Sequence, residues 1–128
     1  MMYSLTMENT MSFRSQADRF MTAIQTRRRN PVKAGTMAVY QSHLNSSILP
    51  ALGEKPLSDI ENGTLKAFVA ELSSRGLSAS TINGMISLIK QVVASAVDTN
   101  GNQLCPRTWN SDFMDLPVVN PRSQKAPV

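Results

Sequence analysis

The stretch Leu77-Ser-Ala-Ser-Thr-Ile-Asn-Gly-Met-Ile-Ser-Leu-Ile-Lys-Gln-Val-Val-Ala-Ser-Ala-Val97 decides the fold. Ile82, Met85, Ile86, Ile89, Val92, Val93 and Ala96 recur at steps of three and four, which places them on one face of a helix. Ser78 or Ser80 can cap its start by accepting from a free backbone N–H. Asn100-Gly101 offers residues that tolerate the left-handed turn at a helix end. At about 1.5 Å per residue such a helix is roughly 30 Å long, enough to cross a small domain. Shorter helices are expected to pack on its apolar stripe.

Working outward, three more helices are expected before it. Phe13, Ala17, Phe20, Met21 and Ile24 share a face, with Ser12 or Ser15 as cap, so a first helix is expected to run to about Arg28. Asn30-Pro31 breaks it, because proline lacks a donor and restricts the residue before it. Thr36 is expected to cap a second helix with Met37, Tyr40, Leu44 and Ile48 on one side, ending before Pro50. After a turn-rich connector, Ser58-Asp-Ile-Glu61 has capping-box spacing and Asn62 is another candidate cap. The third helix buries Leu65, Phe68, Val69 and Leu72 and closes at Gly76. No strand-like alternation and no repeat interrupts this pattern. The expectation is an all-α bundle of four or five helices with short connections.

The 128 residues fit one domain with tails: a leader at 1–11, expected to be disordered, a helical domain at 12–104 and a linker at 105–128. Leu104, Trp109, Phe113 and Leu116 are expected to lie against the bundle or a neighbouring domain. No apolar run approaches the ~20 residues of a membrane helix, and the start lacks a basic-then-apolar signal pattern. Cys105 is the single cysteine, which excludes an internal disulfide and a multi-cysteine metal site, and a reducing intracellular setting is the plain reading.

The net charge is +4, and its distribution is uneven. Up to residue 40 there are six basic residues, Arg14, Arg19, Arg27, Arg28, Arg29 and Lys33, against Glu8 and Asp18. The remainder holds seven of each sign. The excess in the first third suggests a polyanion partner, although a solvated basic turn would look the same. One of Arg27, Arg28 and Arg29 is accounted for by the dipole at a helix C-terminus.

The order and spacing of Gly35-Thr36-x3-Tyr40-x3-Leu44-x3-Ile48-x-Pro50-x-Leu52-Gly53, Pro56-Leu57-x2-Ile60, Gly76-Leu77-Ser78-x2-Thr81-Ile82-Asn83 and Ala96-Val97-x3-Gly101-x2-Leu104-x-Pro106 resembles the core-binding domain of tyrosine recombinases and phage integrases. The resemblance covers about residues 12–120. It implies a SAM-like helical domain on one face of duplex DNA, forming half of a clamp whose other half is a catalytic domain. It also implies that the second and fourth helices, here residues 36–47 and 78–97, approach the major groove. Lys33, Thr36 and Tyr40 at one helix, and Ser78, Ser80, Thr81, Asn83 and Lys90 at the other, are the DNA-contact candidates, with Arg27, Arg28 and Arg29 beside them. Helix N-termini suit phosphate because their free N–H groups and dipole face the anion.

The partners implied are double-stranded DNA, the catalytic domain of the same parent chain and other protomers on DNA, with no membrane and no cofactor. The setting implied is the cytoplasm of a bacterium, nucleoid-associated, or phage-encoded. Two departures stand out. Gly84 occupies the place where family members often carry a basic residue. The family's arginines, lysine, His-x2-Arg unit and tyrosine nucleophile are not matched: His43 is followed by Leu44-Asn45-Ser46, and the tyrosines are Tyr3 and Tyr40. The chain is therefore expected to be a non-enzymatic fragment of a DNA-cleaving and -rejoining recombinase.

Other residues carry plainer readings. His43 is expected at the surface or near a cap, and Cys105 beside Pro106 has no base partner. Tyr40 is expected to insert its ring between helices with its hydroxyl at the rim, and Trp109 and Phe113 to dock the linker rather than stack bases. The alternative function is a helical protein-interaction module with an apolar groove, compatible with the eight methionines.

Overall fold

A computed structural model describes residues 11–27 and 32–117 of the chain. Residues 1–10 of the expected leader (1–11), Arg28, Arg29, the Asn30-Pro31 break and the part of the linker beyond Pro117 lie outside the described residues. Among the described residues six α-helical segments follow in order: α1 (Phe13–Thr26), α2 (Ala34–His43), α3 (Leu49–Leu52), α4 (Asn62–Ser74), α5 (Ala79–Ser95) and the single turn α6 (Ser111–Met114). The fold is mostly helical, with no named strand among the described residues.

The long central helix is α5. Ser78, not Ser80, caps it, its hydroxyl accepting from the Thr81 N–H at 3.2 Å. Ile82, Met85, Ile86, Ile89, Val92 and Val93 are buried as the spacing requires, and Leu88 joins them. The helix stops at Ser95 rather than at Asn100-Gly101. The Ser95 hydroxyl donates to Val92 O at 2.6 Å and accepts from the Gln16 amide at 2.9 Å, which satisfies the buried Gln16 and pins the end of α5 to the start of α1. Asn100-Gly101 instead makes a separate turn. There the Asp98 carboxylate accepts from the N–H groups of Asn100 and Asn102, and the Asn102 bond first among these lowers its pKa.

Across α5 lies α1, capped by Ser12 (3.1 Å to the Ser15 N–H), with Phe13, Gln16, Ala17, Phe20, Met21 and Ile24 buried. It ends at Thr26, with Arg27 as the C-cap. In α2, Thr36 is not the cap; Lys33 holds that position on extended backbone, and Thr36 sits inside the first turn.

Pro50 does not end the second helix. A π turn, Leu44–Ile48, follows α2, and the Leu49 N–H donates five residues back to Leu44 O. That wider turn restarts the ladder, so Pro50 falls in the first turn of α3, where its missing donor costs nothing. The turn keeps Leu44, Ile48 and Leu52 all within the core.

Gly53 follows at the close of α3. A Cβ there would lie 2.6 Å from Leu49 O and 3.1 Å from Arg14 Nη2, while the Gly53 carbonyl already accepts from the Arg14 N–H at 3.0 Å. Gly53→Ala should therefore cost about 1–3 kcal/mol through backbone displacement, read as a lower midpoint in denaturant titration. The neighbouring Arg14–Glu54 ion pair (3.0 Å) is exposed and adds little.

The expected capping box at residues 58–61 is not formed. Leu57–Asp59 is a 3₁₀ turn, and Glu61 stands at the N-cap of α4 without a side-chain cap bond. Asn62 turns outward: its amide donates to Thr108 O (3.1 Å), and its Oδ1 accepts from the Asn110 N–H (2.8 Å). Gly76, at φ 80°, closes α4 as expected.

Residues 104–117 form a strap over the bundle. Arg107 donates to Ile60 O (3.1 Å) and Ser58 O (2.8 Å). Trp109 and Leu116 are half-buried against the core as expected, but Leu104 and Phe113 are exposed. Cys105 and Met114 are the buried anchors instead. The α6 turn, capped by Asn110, points Met114 inward and Phe113 outward, where the Lys66 ammonium lies 5.1 Å over the ring.

Candidate nucleic-acid interface

The sequence candidates fall on two helices whose charge is unusual. From residue 34 to 52, and from 78 to 89, there is no aspartate, glutamate, lysine or arginine. Cations stand at the margins: Arg27 and Lys33 before α2, Arg75 at the end of α4 and Lys90 within α5. The surfaces of α2 and of the first half of α5 are thus neutral and hydrogen-bonding, suited to close approach to base edges or to uncharged groups.

Lys33 and Thr36 are exposed at the start of α2. Tyr40 is half-buried, its ring centroid 6.4 Å from that of Phe20 in a tilted arrangement, so the ring does enter the gap between α1 and α2. Ser80 is exposed on α5, and Lys90 is half-buried. Arg27 is exposed at the end of α1.

Ser78 and Thr81 act as a pair. Besides the cap bond, the Ser78 hydroxyl donates to Thr81 Oγ1 at 3.0 Å. Asn83 has its amide hydrogens engaged within the chain, donating to Ala79 O (2.9 Å) and Pro117 O (2.7 Å). Its amide nitrogen therefore ties the strap to α5. Sequence reading assigned it outward because a strap partner that distant in sequence has no local signal.

The structure brings together one pair that the sequence does not announce. His43, the last residue of α2, places Nε2 3.7 Å from where a Cβ on Gly84 would stand. Thr36 lies about two turns up α2 from this junction. The His43 imidazole is half-buried, and burial alone lowers its pKa from the ordinary value.

Large exposed apolar side chains among the described residues are Val39, Val97, Leu104 and Phe113. Val97 and Leu104 adjoin across a turn, beside a shallow cleft lined by Met11, Phe20, Ala23 and Arg19. Singly exposed apolar residues are ordinary, so this small patch is the extent of support for the apolar-groove alternative. Among the described residues there is no group of three or more His, Cys, Asp or Glu placed to hold a metal, and no helix is long and apolar enough to cross a membrane.

Comparison with known families matches residues 24–73 to the model described as phage integrase, N-terminal SAM-like domain. That span runs from the last turn of α1 through α2, the π turn and α3 to the penultimate residue of α4. No curated protein and no solved structure matches the chain.

Proposed function

We propose, from the match of residues 24–73 to the phage integrase N-terminal SAM-like domain model, that the bundle is a core-binding module. It contacts duplex DNA at a recombination site through α2 and the N-terminal half of α5, and forms half of a clamp. Strand cleavage and rejoining belong to a catalytic domain of the parent chain. The observation that carries this reading is the family match over α2, the helix that holds Thr36 and Tyr40. The basic excess of the first third and the neutral, hydroxyl-rich surfaces of α2 and α5 support it.

The division of labour follows from charge. Marginal cations such as Lys33 and Arg27 supply affinity through phosphates, while Thr36, Ser80 and Thr81 supply the few contacts that depend on sequence. Fluorescence anisotropy with a mixed-sequence duplex should show affinity falling linearly with salt on logarithmic axes. Lys33→Ala should shallow that slope by about one phosphate contact. Thr81→Ala should weaken binding with little loss of stability, because the Ser78 cap bond goes to the Thr81 backbone and survives. No binding at low salt, or a response indifferent to salt, overturns the proposal.

A further inference from the structure

We propose that the His43 imidazole is a phosphate contact in the DNA complex, positioned where α2 and α5 meet. The inference rests on the assignment of those two helices to DNA. Their outer surfaces lack any formal charge from residue 34 to 52 and from 78 to 89, so His43 is the side chain there able to become cationic. Its place is equally specific. Nε2 lies 3.7 Å from the point where a Gly84 side chain would begin, so no side chain from that position of α5 covers the ring. A phosphate spanned by both helices would meet the imidazole at their junction.

Among the described residues the ring has no counter-ion. On its own helix the nearest titratable group is Tyr40, one turn earlier. The π turn contributes no charge, although Arg75 reaches it from α4, Nη1 donating to Ser47 Oγ at 3.2 Å. On α5 the first charge is Lys90, and at the end of α1 it is Arg27. Neither a hydrogen bond nor a neighbouring charge offsets the burial that disfavours imidazolium in the free protein. A phosphate oxygen supplies both an acceptor and a negative charge. The bound form then holds a proton that the free form releases, and affinity rises as pH falls through the imidazole range.

His43 is the chain's one histidine, so its ring resonance is unambiguous in NMR spectra. That resonance is followed through a pH titration of the full chain, alone and saturated with a mixed-sequence duplex at low salt. Duplex affinity is measured in parallel for the wild type and His43→Gln at about pH 7.5 and about pH 5.5. DNA should move the His43 titration to higher pH, and wild-type binding should tighten about tenfold over the drop. His43→Gln should still bind, with that tightening lost. DNA binding with an unmoved His43 titration, or a variant that keeps the full pH response, overturns the His43 assignment alone. Absence of wild-type binding at both pH values overturns the DNA reading itself.

Discussion

Replacing Ile89 by alanine should lower the stability of the bundle by about 2–5 kcal/mol. Ile89 is fully buried near the middle of α5, flanked on the same stripe by Met85, Ile86, Val92 and Val93. Truncation removes apolar surface from the core and leaves a cavity. The walls come from elements tied at both ends: α1 is pinned to α5 through Gln16–Ser95 and to the connector through the Phe13 N–H to Lys55 O bond at 2.8 Å. Such walls relax little, so the cavity term persists. Against a total of about 5–15 kcal/mol for an ordinary domain, the loss is large, and the melting temperature should fall by roughly 10 °C or more. Far-UV circular dichroism in a denaturant series checks it. An unchanged midpoint would place Ile89 outside the core.

Met114→Ala should have the second largest effect, about 2–4 kcal/mol. Met114 is fully exposed to the core and not at all to solvent, although it sits in a helix of one turn. A turn that short has no independent stability, so it is held by the burial of Met114, the larger of the strap's two buried anchors. The hydrogen bonds at Asn62 and Lys66 are solvent-exposed and worth little without it. Hydrogen exchange provides the check. Amides of residues 105–117 should lose protection by a larger factor than those of α5. Equal loss in both would mean that strap and bundle open together, and no loss would show that Met114 does not anchor the strap.

The parts legible in the sequence were those governed by local period. The stripes of α1, α4 and α5 follow from apolar spacing alone, and the buried residues match it nearly one for one. What escaped was set by the geometry of single turns or by partners distant in the chain. Pro50 reads as a stop until the π turn before it restarts the hydrogen-bond ladder. Ser58 and Glu61 have capping-box spacing, but Ser58 lies in a 3₁₀ turn at Leu57–Asp59 and Glu61 stands at the N-cap of α4 with no side-chain cap bond. In the strap no period exists, so Phe113 and Met114 could not be told apart: which one enters the core depends on the φ/ψ of a single turn.

The candidate site divides in the same way. Ser78 as a cap and Tyr40 between helices were visible from residue type and position. The bond from Asn83 to Pro117, and the meeting of His43 with Gly84, are tertiary events between segments that carry no complementary signature. For Gly84 the sequence shows only a missing side chain. The fold shows what the gap admits.

The strap also holds the chain's one tryptophan, Trp109, half-buried on the bundle. Its fluorescence is therefore a local optical gauge of strap docking, whereas circular dichroism averages over the helices. Melting curves from the two signals would superimpose only if strap and helices form one cooperative unit. A gap between them would measure how much earlier the strap lets go.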